Sequence, residues 1–216
     1  MSKTPNIVIT IGRQFGSGGR LLGQHLAKAL GMKYYDKELL HEAAKKAGLS
    51  EEFFEKSDER SPSFLSGIFS FAQGFNPINY FAGSSAISDD SIYRAQSDFI
   101  HSLAEQGPCV IVGRTADYVL RDYPRLVNIF VHAPMDLCIK RIMARDNISA
   151  DKARAKAERI NKLRSGYYNF YTDKTWGMAG SYHLTIDTSL LDVNDIVELI
   201  KDYIIRRFGH DALPDA

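Results

Sequence analysis

A glycine-rich segment between an apolar run and a helix-forming run is the feature that most constrains the fold. Residues 6–11, NIVITI, are rich in β-branched side chains, which is typical of a strand buried on both faces of a parallel sheet. Residues 12–20, GRQFGSGGR, follow, and residues 20–30 then repeat apolar side chains at helical spacing up to Gly31. The glycines allow several backbone N–H groups to face one ligand at the N-terminus of the helix. The segment therefore predicts an anion site.

This loop departs from the common phosphate-binding pattern G-x-x-x-x-G-K-[ST] at three positions. Gln14 occupies the first glycine position, Arg20 the lysine position and Leu21 the hydroxyl position. Arginine follows phosphoryl charge as a planar fork, whereas lysine is a point charge. Leu21 and Leu22 are expected to anchor the helix in the core and to leave Arg20 facing the loop. The alternative is a glycine-rich turn without a ligand, which four glycines between a strand and a helix disfavour.

Two side chains are candidate Mg²⁺ ligands because Leu21 offers no hydroxyl. Ser17 lies inside the loop, and Asp36 follows a second short apolar run. Asp36 is also placed to accept a proton from a substrate or to cap the helix predicted at 37–46, and both roles remain open.

Short apolar runs alternate with helical patterns along the rest of the chain. Further strands are predicted at 32–35, 110–112, 127–131 and 183–186, and further helices at 37–46, 91–106, 134–147, 150–168 and 193–208. This alternation predicts an α/β protein with three layers, in which helices cover both faces of a parallel sheet of about five strands. Residues 57–90 fit neither pattern and are expected to form a substrate-covering region or a partner surface.

Composition excludes several classes of protein. The chain has 216 residues, of which 44% are apolar and 25% charged, so it can bury one full core. A formal net charge of +1 argues against nucleic acid or a membrane surface as a partner. No apolar run approaches the roughly 20 residues of a membrane span, and no signal peptide is evident, so a cytoplasmic protein is expected. Cys109 and Cys138 lie in apolar runs and are expected to be buried free thiols.

Five segments, in order, resemble the cytidylate kinase-like family, relatives of the bacterial cytidylate kinases. They are ITIGRQFGSGGRLLGQHLAKALGMKYYDKELL, CVIVGRTADYVLRDYP, RIMARDN, RSGYYNFYTDKTWG and IDTSLLDVNDIVELI. The resemblance covers nearly the whole chain and is weakest over residues 50–90. It implies a single P-loop kinase-like domain. Its parts would be a core (1–36, 91–145 and 180–216), an acceptor-binding insertion (about 37–90) and a helical lid (about 146–179).

The resemblance implies transfer of the γ-phosphoryl group of ATP to a nucleoside monophosphate, CMP or dCMP first, with Mg²⁺. Small-molecule nucleotides would then be the partners. The positions that match the ATP and phosphate-binding motifs are Gly16, Ser17, Gly18, Gly19, Arg20, Leu21, Asp187, Thr188 and Ser189. Those that match the acceptor-binding motif are Gly113, Arg114 and Asp117. The catalytic candidates are Arg20, Asp36, Arg164 and, as a second lid arginine, Arg159.

One departure from cytidylate kinases leaves the acceptor open. Those enzymes place an arginine where Glu42 stands here, and a carboxylate would repel an acceptor phosphate. A kinase of another small acceptor is therefore one alternative. A nucleotide-binding sensor with little turnover is another, since Leu21 lacks a hydroxyl and the CVIVG segment lacks an acidic residue. Arg159 and Arg164, in a highly charged helix, would without the resemblance be assigned to a solvated face.

Overall fold

A computed structural model describes residues 5–38 and 89–213, with side chains in the second range from residue 93 onward. One sheet of five parallel strands lies at its centre, in the order β2-β3-β1-β4-β5. The strands are β1 (Val8–Arg13), β2 (Lys33–Tyr35), β3 (Cys109–Val112), β4 (Leu126–His132) and β5 (Leu184–Asp187). The predicted parallel sheet of about five strands is confirmed.

Helices connect the strands within the described ranges. They are α1 (Gly19–Ala29), α2 (Asp89–Gln106), the single turn α3 (Ala116–Val119), α4 (Met135–Asp146), α5 (Ala150–Tyr171) and α6 (Val193–Phe208). Two 3₁₀ turns cover Ala179–Ser181 and His210–Ala212. The predicted helix at 37–46 and the segment 57–90 lie almost entirely outside the described residues.

The sheet is covered on both faces because its strands are apolar on both faces. Ile9 and Ile11 of β1 face α1 and α6, whereas Val8 faces α2 and α3. The first layer is completed by buried side chains that include Leu22, Leu26, Val110, Ile129, Ile196, Ile200 and Ile204. The second includes Phe99, Ile100, Leu103, Ile111, Ala116, Leu120 and Leu126. This is the three-layer α/β arrangement expected from the alternating pattern.

Parallel pairing places the carboxyl ends of all five strands at one edge of the sheet. β1 lies between β3 and β4, and pairs with both. After β1 the chain continues to β2, which lies on one side of β1 in the sheet, whereas β4 lies on the other side. The connections therefore diverge at the end of β1. In open α/β sheets, ligands bind in the crevice at such a switch point.

Helices α4 and α5 form a smaller core beside this edge. Ile139 and Ile142 of α4 pack against Ala153 and Ala157 of α5, whose small side chains allow the two helices to approach closely. Phe15 of the glycine-rich loop packs against the same cluster. This contact joins the loop after β1 to the helix pair.

Both cysteines, Cys109 and Cys138, are free and buried as predicted, and burial raises the pKa of the Cys109 thiol to about 12. Among the described helices, none has the length and apolar character needed to cross a bilayer.

The prediction that Leu21 anchors α1 in the core is wrong. Leu22 is 1% exposed, whereas Leu21 is 52% exposed and lines the cleft described below. Adjacent positions on a helix are rotated by about 100°, so only one of the two faces the sheet.

Replacing these two leucines separately tests the packing of α1. Leu22→Ala removes a fully buried side chain and is expected to lower the free energy of unfolding by about 2–5 kcal/mol. Leu21→Ala, the matched control, is expected to change it by less than about 0.5 kcal/mol. Urea denaturation followed by circular dichroism measures both. Equal losses in the two variants would contradict this orientation of α1.

Candidate functional site

A cleft of about 880 Å³ lies at the carboxyl edge of the sheet. Its walls are the loop after β1, the residues that follow β2 and β3, and the inner faces of α4 and α5. The residues predicted from sequence that line it are Gly16, Gly18, Gly19, Arg20, Leu21, Asp36, Gly113, Arg114, Asp117, Arg159, Arg164 and Thr188. Three others, Ser17, Asp187 and Ser189, are not among its lining residues. The structure therefore gathers most of the predicted residues at one place.

The glycine-rich loop presents unused backbone donors. Gly16 and Gly18 have φ angles of 84° and 86°, in the left-handed region that favours glycine. Within the described residues, the amides of Gly16, Gly18, Gly19 and Arg20 donate to no backbone or side-chain acceptor. The first N–H groups of a helix have no partner within it and carry the positive end of its dipole. These four amides are therefore available to an anion at the place where the sequence predicts an anion site.

Ser17 is buried and secures the loop. Its hydroxyl donates to the carbonyl of Gln14 at 2.9 Å. Its own carbonyl accepts from the Thr188 hydroxyl at 2.6 Å and from Arg141 Nη1 at 3.0 Å. With its hydroxyl directed at a carbonyl and its side chain out of solvent, Ser17 does not fit the role of a metal ligand.

Arg20 turns toward the end of β2, whereas the sequence predicted that it faces the loop. Its Nε lies 2.8 Å from Asp36 Oδ2, and its Nη2 pairs with Glu38. The Arg20 side chain is 60% exposed, whereas Asp36 is buried and also accepts from the Tyr34 hydroxyl at 3.2 Å. Burial and the charge of Asp36 raise the pKa of Tyr34. Two carboxylates thus hold the loop cation in the structure.

Helix α5 is docked on the loop by two hydrogen bonds. Asn161 Oδ1 accepts from the amide of Phe15 at 2.7 Å, and Arg164 Nη1 donates to the carbonyl of Arg13 at 3.1 Å. The Arg164 guanidinium also lies 5.5 Å from the centre of the Phe15 ring. Arg159, one turn earlier, is exposed and lines the cleft without a hydrogen bond of this kind. The structure therefore distinguishes the two lid arginines by their contacts.

The turn after β3 has an unusual backbone. Gly113, Arg114 and Thr115 all have positive φ angles, of 88°, 60° and 51°. Non-glycine residues in this region cost of order 1 kcal/mol or more and cluster at functional sites. The Arg114 Nε and Nη2 atoms are buried. The backbone therefore directs a guanidinium inward at the edge of the sheet, where the sequence predicts acceptor binding.

Asp117 is buried and hydrogen-bonded to helix α5. Its Oδ2 accepts from the Tyr168 hydroxyl at 2.7 Å. Burial raises the pKa of Asp117, and the Tyr168 hydrogen bond partly opposes that shift. One oxygen of this predicted acceptor-binding residue is therefore already used in holding α5 to the core.

At the end of β5, Asp187 and Thr188 form hydrogen bonds that hold the local backbone. Asp187 Oδ1 accepts from the amide of Ser189 at 2.8 Å, and this hydrogen bonding lowers the pKa of Asp187. The Thr188 amide continues the sheet ladder by donating to the carbonyl of His132 at 3.0 Å. Ser189 is exposed.

Sequence analysis missed three arginines that line the cleft, namely Arg13, Arg141 and Arg145. The Arg13 guanidinium occupies the space that a Cβ at position 113 would take, so Arg13 would have to move if Gly113 were replaced. Arg145 lies 4.7 Å from the centre of the Phe15 ring. The sequence could have indicated two of them, because positions 141 and 145 are about one helical turn apart and lie on the same face of α4.

The cleft concentrates positive charge. Seven arginines line it, namely Arg13, Arg20, Arg114, Arg141, Arg145, Arg159 and Arg164, against four carboxylates, Asp36, Glu38, Asp117 and Asp192. The formal net charge of the whole chain is only +1, so this excess is local. Guanidinium groups bind phosphate oxygens in bidentate geometry. The cleft therefore suits a ligand with several phosphate groups.

Mg²⁺ fits this site only when it binds together with a ligand that carries phosphate groups. The described residues contain no cluster of three or more metal-ligating side chains. Mg²⁺ commonly retains several waters and binds through one or two carboxylates together with substrate phosphates. Asp36, buried in the cleft wall, is the predicted ligand that fits.

A parallel sheet with a glycine-rich loop after its first strand, beside a cleft lined by arginines, defines an α/β protein with the fold of the P-loop kinases. The chain belongs to the cytidylate kinase-like family, whose model matches residues 8–190. The resemblance found in the sequence is thus confirmed, and the family supports a kinase of nucleotides or other small molecules.

Curated relatives cover most of the chain. A cytidylate kinase of Pyrococcus abyssi is 27% identical over 197 residues, which span 90% of this chain and 92% of the relative. A cytidylate kinase of Pyrobaculum islandicum is 26% identical over 205 residues, which span 94% and 95% of the two chains. Identities at this level support the family and leave the acceptor undetermined.

Solved structures share the fold. An uncharacterised protein from Eubacterium ventriosum superposes with a TM-score of 0.69 at 29% identity, covering 92% of this chain and 98% of that one. A shikimate kinase from Bacteroides thetaiotaomicron gives 0.50 at 11% identity, with 92% and 98% coverage. A sugar kinase from Janibacter gives 0.50 at 12% identity, with 98% and 100% coverage. The last two show the fold alone.

Asp117→Asn tests the buried carboxyl group through pH. The pKa of Asp117 is raised in the folded protein, so its contribution to stability is present below its unfolded pKa and is lost as pH rises through the folded pKa. We expect the free energy of unfolding of the wild type to fall relative to that of Asp117→Asn as pH rises above about 4, the ordinary pKa of an aspartate in the unfolded chain. Urea denaturation of both proteins at matched pH measures the difference.

A Tyr168→Phe background provides the control for this titration. The Tyr168 hydroxyl lowers the pKa of Asp117, so its removal is expected to extend the loss of stability to higher pH and to make that loss larger. A difference between wild type and Asp117→Asn that stays constant with pH would show that this carboxyl keeps its ordinary pKa.

Proposed function

We propose that this protein transfers the γ-phosphoryl group of ATP to a nucleoside monophosphate, with CMP or dCMP as the first acceptors to test, in the presence of Mg²⁺. The observation that carries the proposal is the set of unused loop amides opposite the arginines at the switch point of the sheet. The names of the Pyrococcus and Pyrobaculum relatives support cytidine nucleotides as acceptors.

The donor would bind with its β-phosphate over the amides of residues 16–20. Phosphoryl transfer needs positioning and charge neutralisation more than covalent chemistry. The backbone donors are pre-oriented by the turn and by the start of α1, so they need no rearrangement as charge develops. Residues 187–189 at the end of β5 would lie near the donor base.

Arginines from α5 would stabilise the transferring group. Arg164 contacts the loop directly through the carbonyl of Arg13, which places its guanidinium beside the proposed phosphate site. Arg159 lines the same cleft one turn away. In this assignment, residues 146–179 form the lid, and charge that spreads over the phosphoryl oxygens attracts both side chains.

Asp36 and Arg20 would link donor and acceptor. Mg²⁺, when bound with the nucleotide, neutralises phosphate charge, and Asp36 is the carboxylate in the cleft wall that is placed to hold it. The same carboxylate is positioned to orient Arg20, which bonds to it at 2.8 Å. We assign residues 37–90, which follow directly, to the acceptor-binding insertion and Gly113, Arg114 and Asp117 to the opposite side of the acceptor site.

A specific observation also favours a second candidate, a kinase of another small acceptor. Asp36 and Glu38 place two carboxylates at the acceptor end of the cleft, and Glu42 follows in the sequence. Carboxylates accept hydrogen bonds from hydroxyl groups and repel phosphate monoesters. An uncharged acceptor with several hydroxyl groups would match these residues.

An ADP-release assay with ATP, Mg²⁺ and a panel of acceptors separates the candidates. We expect turnover with CMP or dCMP above that with AMP, GMP and UMP. The panel should also contain dephospho-cofactors, sugars and other uncharged polyhydroxylated compounds. Turnover confined to acceptors without phosphate would favour the second candidate. Binding of ATP without turnover on any acceptor would favour a nucleotide sensor.

Arg164→Ala tests the assignment of the lid. A group that acts mainly on transition-state charge contributes to kcat, so we expect kcat to fall by about 10²–10³ with little change in the Kd for ATP. Lys152→Ala, an exposed cation on the same helix outside the cleft, is the matched control and should retain full kcat. Unchanged kcat in Arg164→Ala would assign this arginine to docking of the helix alone.

A further inference from the structure

The carbonyl oxygen of Ser17 is held from outside the loop by two side chains distant in sequence. Thr188 Oγ1 donates to it at 2.6 Å, and Arg141 Nη1 donates to it at 3.0 Å. The same guanidinium bonds Thr188 twice, from Nη1 to Oγ1 at 2.9 Å and from Nη2 to the carbonyl at 3.0 Å. Arg141, Thr188 and the Ser17 carbonyl form a closed ring of hydrogen bonds, which we term the carbonyl clamp.

The planarity of the peptide bond converts this clamp into a constraint on Gly18. In a trans peptide, the C=O and the following N–H lie in one plane and point in opposite directions. Fixing the Ser17 carbonyl toward Arg141 and Thr188 therefore directs the Gly18 amide away from them. That amide has no acceptor among the described residues, and Gly18 lines the cleft.

Without the clamp, this peptide unit would be free to rotate. Gly18 has a φ of 86°, and glycine populates positive and negative φ about equally well. A flipped Ser17–Gly18 peptide would place a carbonyl oxygen where the loop now offers an N–H, and that oxygen would repel a phosphate. The orientation of one peptide thus decides whether the centre of the loop attracts or repels an anion.

The clamp is built from rigid parts. Thr188 is 9% exposed and is attached to the sheet through its amide, which donates to the carbonyl of His132. Arg141 projects from α4, whose Ile142 is fully buried against α5. Ser17 is itself buried. Loss of either donor would leave a buried carbonyl short of a partner, and such a loss is costly.

We propose that Arg141 and Thr188 are positioning residues that hold the Ser17–Gly18 peptide in its anion-binding orientation and so set the affinity of the loop for the phosphates of the nucleotide donor. This inference rests on the proposed function, which places those phosphates over the loop. Thr188 is neutral and donates its hydroxyl proton to the Ser17 carbonyl, so its effect on phosphate affinity would act through the peptide and not through charge.

Thr188→Val is the decisive variant, because it removes the hydroxyl and keeps the branched shape. Thr188→Ser, the matched control, keeps the hydroxyl. Amide NMR titrations of ¹⁵N-labelled protein with Mg²⁺ and ADP, and separately with adenosine, report affinity and the Gly18 amide together. We expect Thr188→Val to lower the affinity for ADP by about tenfold and to abolish the ADP-induced chemical-shift change of the Gly18 amide. Adenosine affinity should be unchanged, and Thr188→Ser should behave as the wild type.

Arg141→Lys provides a second test that does not depend on the folding of Thr188→Val. Lysine keeps the charge but lacks the planar fork that bonds the Ser17 carbonyl and Thr188 together, so ADP affinity should fall although the charge is unchanged.

The outcomes separate this inference from the proposed function. Wild-type protein that does not bind ADP would overturn both. If the wild type binds ADP, an ADP affinity in Thr188→Val equal to that of the wild type would overturn the clamp alone. An equal loss of ADP and adenosine affinity in that variant would do the same. So would a Thr188→Ser variant as weak as Thr188→Val, since shape and not the hydroxyl would then matter.

Discussion

The parallel pairing of β1 with its two neighbours is the constraint on which the rest of the structure depends. Because β3 and β4 both run parallel to β1, their carboxyl ends lie beside the loop that follows it. Residues far apart in sequence, such as Arg114 and Thr188, therefore reach one cleft. The backbone ladder needs no particular side chains there, so that edge of the sheet is left free to carry chemistry.

The unsatisfied donors of the loop explain much of what surrounds it. A helix that starts at Gly19 leaves its first amides without internal partners, and a loop rich in glycine adds more. Donors of this kind need a ligand or water as a partner. Hydrogen bonds to the Ser17 carbonyl and from the Phe15 amide hold the loop without using its four unpaired amides, which therefore remain available to a ligand. The groups that stabilise the loop are therefore different from the amides that it offers to a ligand.

Charge at the cleft is organised in two regions. Of the arginines of α4 and α5 that line the cleft, Arg145 is paired with Asp146 and Arg141 donates to neutral oxygens, whereas Arg20 is paired with both Asp36 and Glu38 at the end of β2. A carboxylate this close to a cation reduces the Coulomb attraction of that cation to a phosphate, and Arg20 has two such neighbours. This difference is consistent with the proposed binding of the donor phosphates at the loop.

The sequence by itself determined the five strands, the longer helices of the described residues and the parallel sheet, and it predicted the anion loop, because each depends on local apolar periodicity or on glycine at fixed positions. Only the tertiary structure decided which side chains serve the loop. Leu21 was assigned to the core and Arg20 to the loop, because no local pattern fixes the rotation of a helix on its sheet. The hydrogen bonds of Arg141 and Thr188 to Ser17 span 124 and 171 positions. Such long-range hydrogen bonds depend on strand order and helix packing, which exist only once the chain has folded.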